Sequence, residues 1–220
     1  MNFMKNKKFK HSVLLIFLLS LYVFIAAQSY VVAISTDLSN AVFRLHVIAN
    51  SDTNEDQELK LKVRDSLLNY MNKICSNCTT KEEAISIAIQ NKDEFQKIAE
   101  QTILENGYNY PIKININNFY FPTKNYGDIS LPAGMYDALR VEIGEAKGKN
   151  WWCVMFPSLC FVDISSGIVD EKAKGELEGE LQEESYSVIS ETKKPDIKFK
   201  FKIIEFFAEN DLFKVARAKK

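Results

Sequence analysis

Histidine is nearly absent from this chain: only His11 and His46 occur among 220 residues. A zinc site built on C-x-x-C would need two further well-placed ligands, and two histidines leave few to choose from. No glycine-rich phosphate cradle, G-x-S-x-G elbow, H-E-x-x-H pair or EF-hand loop is present, which removes the common nucleotide, hydrolase, metalloprotease and calcium signatures. A charge excess is missing as well. The formal net charge is −1, from 28 Lys and Arg against 29 Asp and Glu. A nucleic-acid partner normally shows as a basic face, so none is expected. There is no internal repeat. What is present is an apolar fraction of 46% over a length that suits one domain, or one domain with an appendage.

The positive charge that does exist is concentrated at the start. Lys5, Lys7, Lys8 and Lys10 precede any acid and lead into SVLLIFLLSLYVFIAA, Ser12 to Ala27, with no charge before Asp37. A basic start followed by an apolar core reads as a secretory signal peptide, with cleavage points after Ala27 or Ala33. Residues 12–34 are also long enough to stay as an uncleaved membrane anchor. In both cases the lysines remain cytoplasmic and the rest is exported. Residues 1–34 are therefore read as signal peptide or anchor, and 35–220 as one extracytoplasmic domain. Beyond residue 34 the balance is 24 basic to 29 acidic residues, mildly acidic.

Taken in order, Ala41 to Ala49 reads as a strand. Val42, Arg44, His46 and Ile48 fall on one face and Phe43, Leu45 and Val47 on the other. A helix comes next over about Glu55 to Ile74, capped by Thr53 or Asn54, with Glu55, Asp56 and Glu58 at its positive end. Thr80-Lys81-Glu82-Glu83 is a capping box, opening a helical region that breaks near Asn91-Lys92 and ends at Gly107. Pro111 to Phe121 resumes strand alternation, with Ile112, Ile114 and Ile116 inward. Residues 170–196 turn acidic and are expected to form a solvated loop or weak helix. Phe199, Phe201 and Ile203 then alternate with Lys198, Lys200 and Lys202, the pattern of a last strand or protected sheet edge. The expected class is α+β: a mainly antiparallel sheet with helices packed on a face.

The stretch from Leu131 to Asp163 holds both tryptophans and two of the four cysteines. Leu139, Val141 and Ile143 alternate with Arg140, Glu142 and Gly144, and Lys147 to Asn150 supply turn residues. The expected arrangement is a hairpin of Ala138–Glu145 with Trp151–Met155. A second turn over Met155 to Ser158 sets Cys153 opposite Cys160, and in an exported chain that pair is expected to form a disulfide. Cys75-Ser76-Asn77-Cys78 lies after a helix, whereas thioredoxin-like chemistry places such a motif at a helix start. A local disulfide or idle thiols fits it better. Trp151 and Trp152 point to opposite faces, so one belongs to the core and the other is a candidate contact residue, with Arg140 beside it.

Candidate chemistry is thin. His46 with Ser51, Asp52 or Asp65 is the one set resembling a nucleophile, base and acid, and it underlies the alternative of an exported hydrolase. Asp137, Glu142 and Asp163 are candidate paired carboxylates, but alternation spreads acids along any strand. No catalytic residue, cofactor or metal is assigned.

Three long blocks carry a resemblance. FRLHVIANSDTNEDQELKLKVRD (Phe43 to Asp65), FPTKNYGDISLPAGMYDALRVEIG (Phe121 to Gly144) and NWWCVMFPSLCFVD (Asn150 to Asp163) closely resemble stage II sporulation protein R of endospore-forming bacteria. FKFKIIEFFAE near the end is a looser match. The resemblance implies a non-enzymatic signal, made in the forespore and exported into the space between the sporangial membranes. Its implied partner is a membrane-embedded aspartic protease of the mother cell, which processes the inactive precursor of sigma-E. Neither the acidic stretch after Asp170 nor the Cys75/Cys78 pair matches the family pattern, so no role passes to them.

Overall fold

The fold is organised around one short strand, β1 (Phe43–Ile48), all six residues of which are buried. In this computed structural model, residues 7–158, 171–190 and 195–209 are described. β1 follows α1 (Lys7–Ala41) and leads into three helices, α2 (Asn54–Ile74), α3 (Lys81–Gln90) and α4 (Lys92–Glu105). Four strands come next: β2 (Ile112–Phe121), β3 (Lys124–Tyr126), β4 (Ile129–Leu131) and β5 (Gly134–Ile143). β6 (Asn150–Phe156), α5 (Glu171–Glu180), α6 (Glu183–Ser190) and α7 (Pro195–Glu209) complete the order. This is an α+β domain behind an apolar N-terminal helix.

Helix ends form where local chemistry allows. Thr53 caps α2 by accepting from the Asp56 amide, and Thr80 caps α3 by accepting from the Glu83 amide. The Glu83 carboxylate reaches back to the Thr79 amide at 2.8 Å, which completes the capping-box exchange one residue early. Asn91 separates α3 from α4, and Gly107 ends α4 in the left-handed region at φ 83°.

The sheet order is β2-β5-β1-β6. β1 runs parallel to β5 and antiparallel to β6, so β5 and β6 are not hairpin partners. The turn residues are real, but the connection is wide enough for the end of β1 to sit inside it. The Lys147 amide donates to the Asn50 carbonyl at 3.1 Å and the Gly148 amide to the Ala49 carbonyl at 3.0 Å. A strand buried on both faces belongs in the middle of a sheet.

Of two further expectations, the acidic stretch takes its helical alternative and the last strand is corrected. The acidic stretch is helical, as α5 and α6, with Leu177, Val188 and Ile189 buried. The Lys/Phe alternation is helix α7 and not a strand, beginning at Pro195, a favoured first helical residue. Its buried Phe201, Ile204 and Phe207 recur at helical spacing, and packing on α1 and α6 outweighs a three-residue alternation.

α1 has two characters. It is long and apolar enough to cross a membrane. Its last turns are domain core, because Val31, Ile34, Leu38 and Ala41 are buried at spacings of one helical stripe. A cut after Ala27 leaves all four in the domain, whereas one after Ala33 removes Val31.

Candidate partner-binding face

The two faces of the sheet differ because β1 alternates. Phe43, Leu45 and Val47 share a face with Leu139, Val141 and Ile143 of β5 and with Ile114 of β2. Helices α2 and α3 lie over that side. Arg64 of α2 places its guanidinium 4.2 Å from the centre of the Trp151 ring, and Lys81 of α3 pairs with Asp137 at 2.6 Å. On the opposite side the register lines up Asn115, Arg140, His46 and Trp152 as one row across four strands.

The inner end of this second face is closed. Arg44 is fully buried, with its guanidinium 4.0 Å from the Phe121 ring centre and 4.7 Å from that of Tyr136. Its Nη2 donates to the Tyr126 hydroxyl at 2.6 Å, so the β3–β4 hairpin acts as a lid on the cation. Burial raises the Tyr126 pKa, and Arg44 works against that rise. Aromatic faces are a reasonable substitute for water around a guanidinium, which explains how it can be accommodated here. Nothing in the sequence marks Arg44 as different from any strand arginine, because its ring partners come from three other strands.

The rest of the face is half open. The His46 ring stacks on Trp152 at 3.6 Å and 17°, and Phe121 meets the indole edge-on at 4.8 Å. His46 Nε2 lies 2.7 Å from Asn150 Oδ1, which fits a donating Nε2–H. Burial pushes the His46 pKa down to about 4; the Asn150 bond opposes this, and the Arg140 charge adds to it. The imidazole is therefore neutral at pH 7. Arg140, with its side chain 32% exposed, donates to Glu142 at 2.9 Å and approaches the Phe119 ring at 5.4 Å. Lys113 flanks Glu142 at 3.6 Å. Two cations, a carboxylate, two amides and an indole lie side by side on the sheet. Arg and Trp side by side on one face are the residue types most enriched at the centres of protein interfaces.

The sequence candidates separate accordingly. Trp152 and Arg140 share this face through His46, while Trp151 lies on the helix side beneath Arg64. Cys153 is buried on the helix side opposite Leu45, and Cys160 lies outside the described residues. Cys75 and Cys78 are joined in a local disulfide. The hydrolase constellation is not assembled among the described residues. Ser51 Oγ donates to Asp56 at 2.5 Å, Asp65 pairs with Arg64, and the His46 nitrogen is taken by Asn150. Asp52 accepts from the Lys149 amide at 2.6 Å. Asp137 and Glu142 occupy opposite faces of β5, and Asp163 lies outside the described residues. No cluster of three metal-binding side chains occurs among the described residues.

The β1–β6 core of the domain is also where the chain matches known proteins. The family described as Stage II sporulation protein R matches residues 39–166. The chain belongs to that family. A protein named stage II sporulation protein R from Bacillus subtilis (strain 168) is 38% identical over 130 residues. That alignment covers 59% of this chain and 58% of the Bacillus protein, so the chain matches less than two thirds of that relative's length. No solved structure matches the chain. Within the matched region lie β1, the row through His46, Arg140 and Trp152, and the Arg44 cage; α5 to α7 fall beyond it.

Proposed function

We propose that this sporulation protein is an exported signal that switches on a membrane-embedded aspartic protease, which then processes the precursor of sigma-E. The family match over residues 39–166 carries the reading. The apolar α1 behind a lysine-rich start supports export of the α+β domain, from the forespore into the space between the two sporangial membranes. The protein needs no cofactor for this role, since activation is a matter of binding. Trp152 and Arg140 are the contact residues in this reading, because they present an aromatic ring and a cation on the sheet face away from α2 and α3. Trp151, held under Arg64, supports them from the other side. Cys153 pairs with Cys160 in the exported protein, which mass spectrometry of unreduced digests tests directly.

The role itself is tested by reconstitution. The full chain, the membrane protease and the precursor are combined in proteoliposomes and cleavage is followed on gels. Cleavage is expected only when this chain is present on the extracytoplasmic side. Equal cleavage without the chain would overturn the reading.

A further inference from the structure

The first and last helices of the described chain meet at a level that concerns the bilayer. From Phe9 to Ile25 the large apolar side chains of α1 are exposed, Leu15 and Tyr22 at 70% each, whereas Val31 is 1% exposed. The change from an exposed helix to a domain helix therefore falls between Ile25 and Val31. The 17 residues between Lys10 and Gln28 rise about 26 Å as a helix, close to the thickness of a hydrocarbon core. Phe24 then sits about 6 Å inside the outer boundary of such a span.

Helix α7 reaches that level. Lys200 Nζ lies 5.5 Å from the Tyr30 ring centre, and the Phe207 ring lies 5.7 Å from that of Phe24. Moving seven residues forward along α7 corresponds to moving six back along α1. The two helices are therefore antiparallel, and α7 descends beside α1 toward the membrane. Its inner stripe of Phe201, Ile204 and Phe207 is buried. On its outer side Phe199 is 67% exposed and Phe206 62% exposed. Over the whole of α7 the three lysines, gathered at 198, 200 and 202, stand against three acids, Asp196, Glu205 and Glu209. Lys200 also bonds Glu184 at 3.0 Å, and Lys202 pairs with Glu205. Phe199 lies about 10 Å further from the bilayer centre than Phe206.

We propose that α7 is a membrane-contact helix, in which Phe206 enters the boundary between headgroups and acyl chains beside α1 while Lys198 and Lys202 lie among anionic headgroups. An amphipathic helix with aromatic residues on one side and lysines on another suits that depth, and Tyr30 beside Lys200 has the composition of an interfacial belt. Two contacts with the bilayer fix the domain's orientation as well as its distance, which a lone anchor helix does not. The proposal rests on α1 serving as a membrane anchor.

Photocrosslinking in the full chain tests it. Phe206, Leu14 and Ile89 are each replaced by benzoylphenylalanine and the chain is reconstituted in vesicles of phosphatidylcholine and phosphatidylglycerol. Leu14 is 53% exposed within the apolar run, and Ile89 is 57% exposed on α3. All three sites are surface positions, so the substitutions leave the core intact. Lipid adducts are expected at 14 and 206 and not at 89, and removing phosphatidylglycerol should lower the yield at 206 relative to 14. Adducts at 14 without any at 206 would overturn the role of α7 and leave the anchor standing. No adduct at 14 would remove the anchor, and the proposal with it. Equal labelling at 89 and 206 would also overturn it.

Discussion

Lowering the pH from 7.5 to 5 is expected to destabilise the domain by about 2 kcal/mol, mainly through His46. Burial holds its folded pKa down to about 4, against about 6.5 in an unfolded chain. Between those values the unfolded state binds the proton and the folded state does not. Stability is therefore complete above about pH 6.5, falls as pH drops through that value, and levels off below about 4, after a total of about 3 kcal/mol. His11, the only other histidine, is exposed on α1. Burial raises both Asp56 and Asp137, but the bonds from Ser51, Asn50 and Tyr110 to Asp56, and those from Lys81 and Asn118 with the Lys81 charge at Asp137, together hold both carboxyls below their ordinary value. Their stabilisation is lost at more acid pH than this window. Urea unfolding of the detergent-solubilised full chain, tracked by circular dichroism, should show a midpoint about 1 M lower at pH 5 than at pH 7.5. In His46→Gln most of that difference should vanish. An unchanged wild-type midpoint, or an equal drop in the variant, would refute the buried neutral imidazole and the packing around Trp152 that depends on it.

The packing sets three further outcomes. Leu38→Ala, at a fully buried position of α1, should cost about 2–5 kcal/mol in thermal melts; a change near zero would mean that the end of α1 is not core. Gly148→Ala places a Cβ 2.1 Å from the Ser51 carbonyl oxygen and 2.6 Å from its carbon, so unfolding curves should show a loss of about 1–3 kcal/mol or more. Replacing Cys75 and Cys78 together by Ser should cost about 2 kcal/mol through the short loop their disulfide closes. Thermal melts in reductant should show the wild-type melting temperature lowered at least as far, because reductant also opens the proposed Cys153–Cys160 bridge.

Much of the domain is legible from local signals. Thr53, Thr80 with Glu83, the break at Asn91 and Gly107 each satisfy a backbone need within a few residues, so sequence alone locates α2, α3 and α4. The Val42/Arg44/His46/Ile48 face is legible because β1 alternates. The position of β1 between β5 and β6 is not, because turn residues at Lys147 to Asn150 are compatible with a tight hairpin or a wide connection. Only the closeness of Gly148 to Ala49 and Ser51, 95 or more residues earlier, distinguishes them. Helix α7 resembles a strand in sequence for a related reason: its buried stripe is defined by α1 and α6, not by its own alternation. The neighbourhood of Trp152 and Arg140 is legible only as a guess about faces, since His46 joins them from a strand far earlier in the chain.

The most direct measurement is precursor cleavage by the membrane protease, reconstituted with the full chain carrying Trp152→Ala and Arg140→Ser together. Circular dichroism at pH 7.5 is used first to establish that the variant is folded. Wild-type chain should trigger cleavage, and the folded double variant should lose that activity by tenfold or more, which corresponds to about 1.4 kcal/mol of binding. A folded double variant that triggers cleavage as well as wild type would contradict the assignment of this sheet face as the surface that meets the protease.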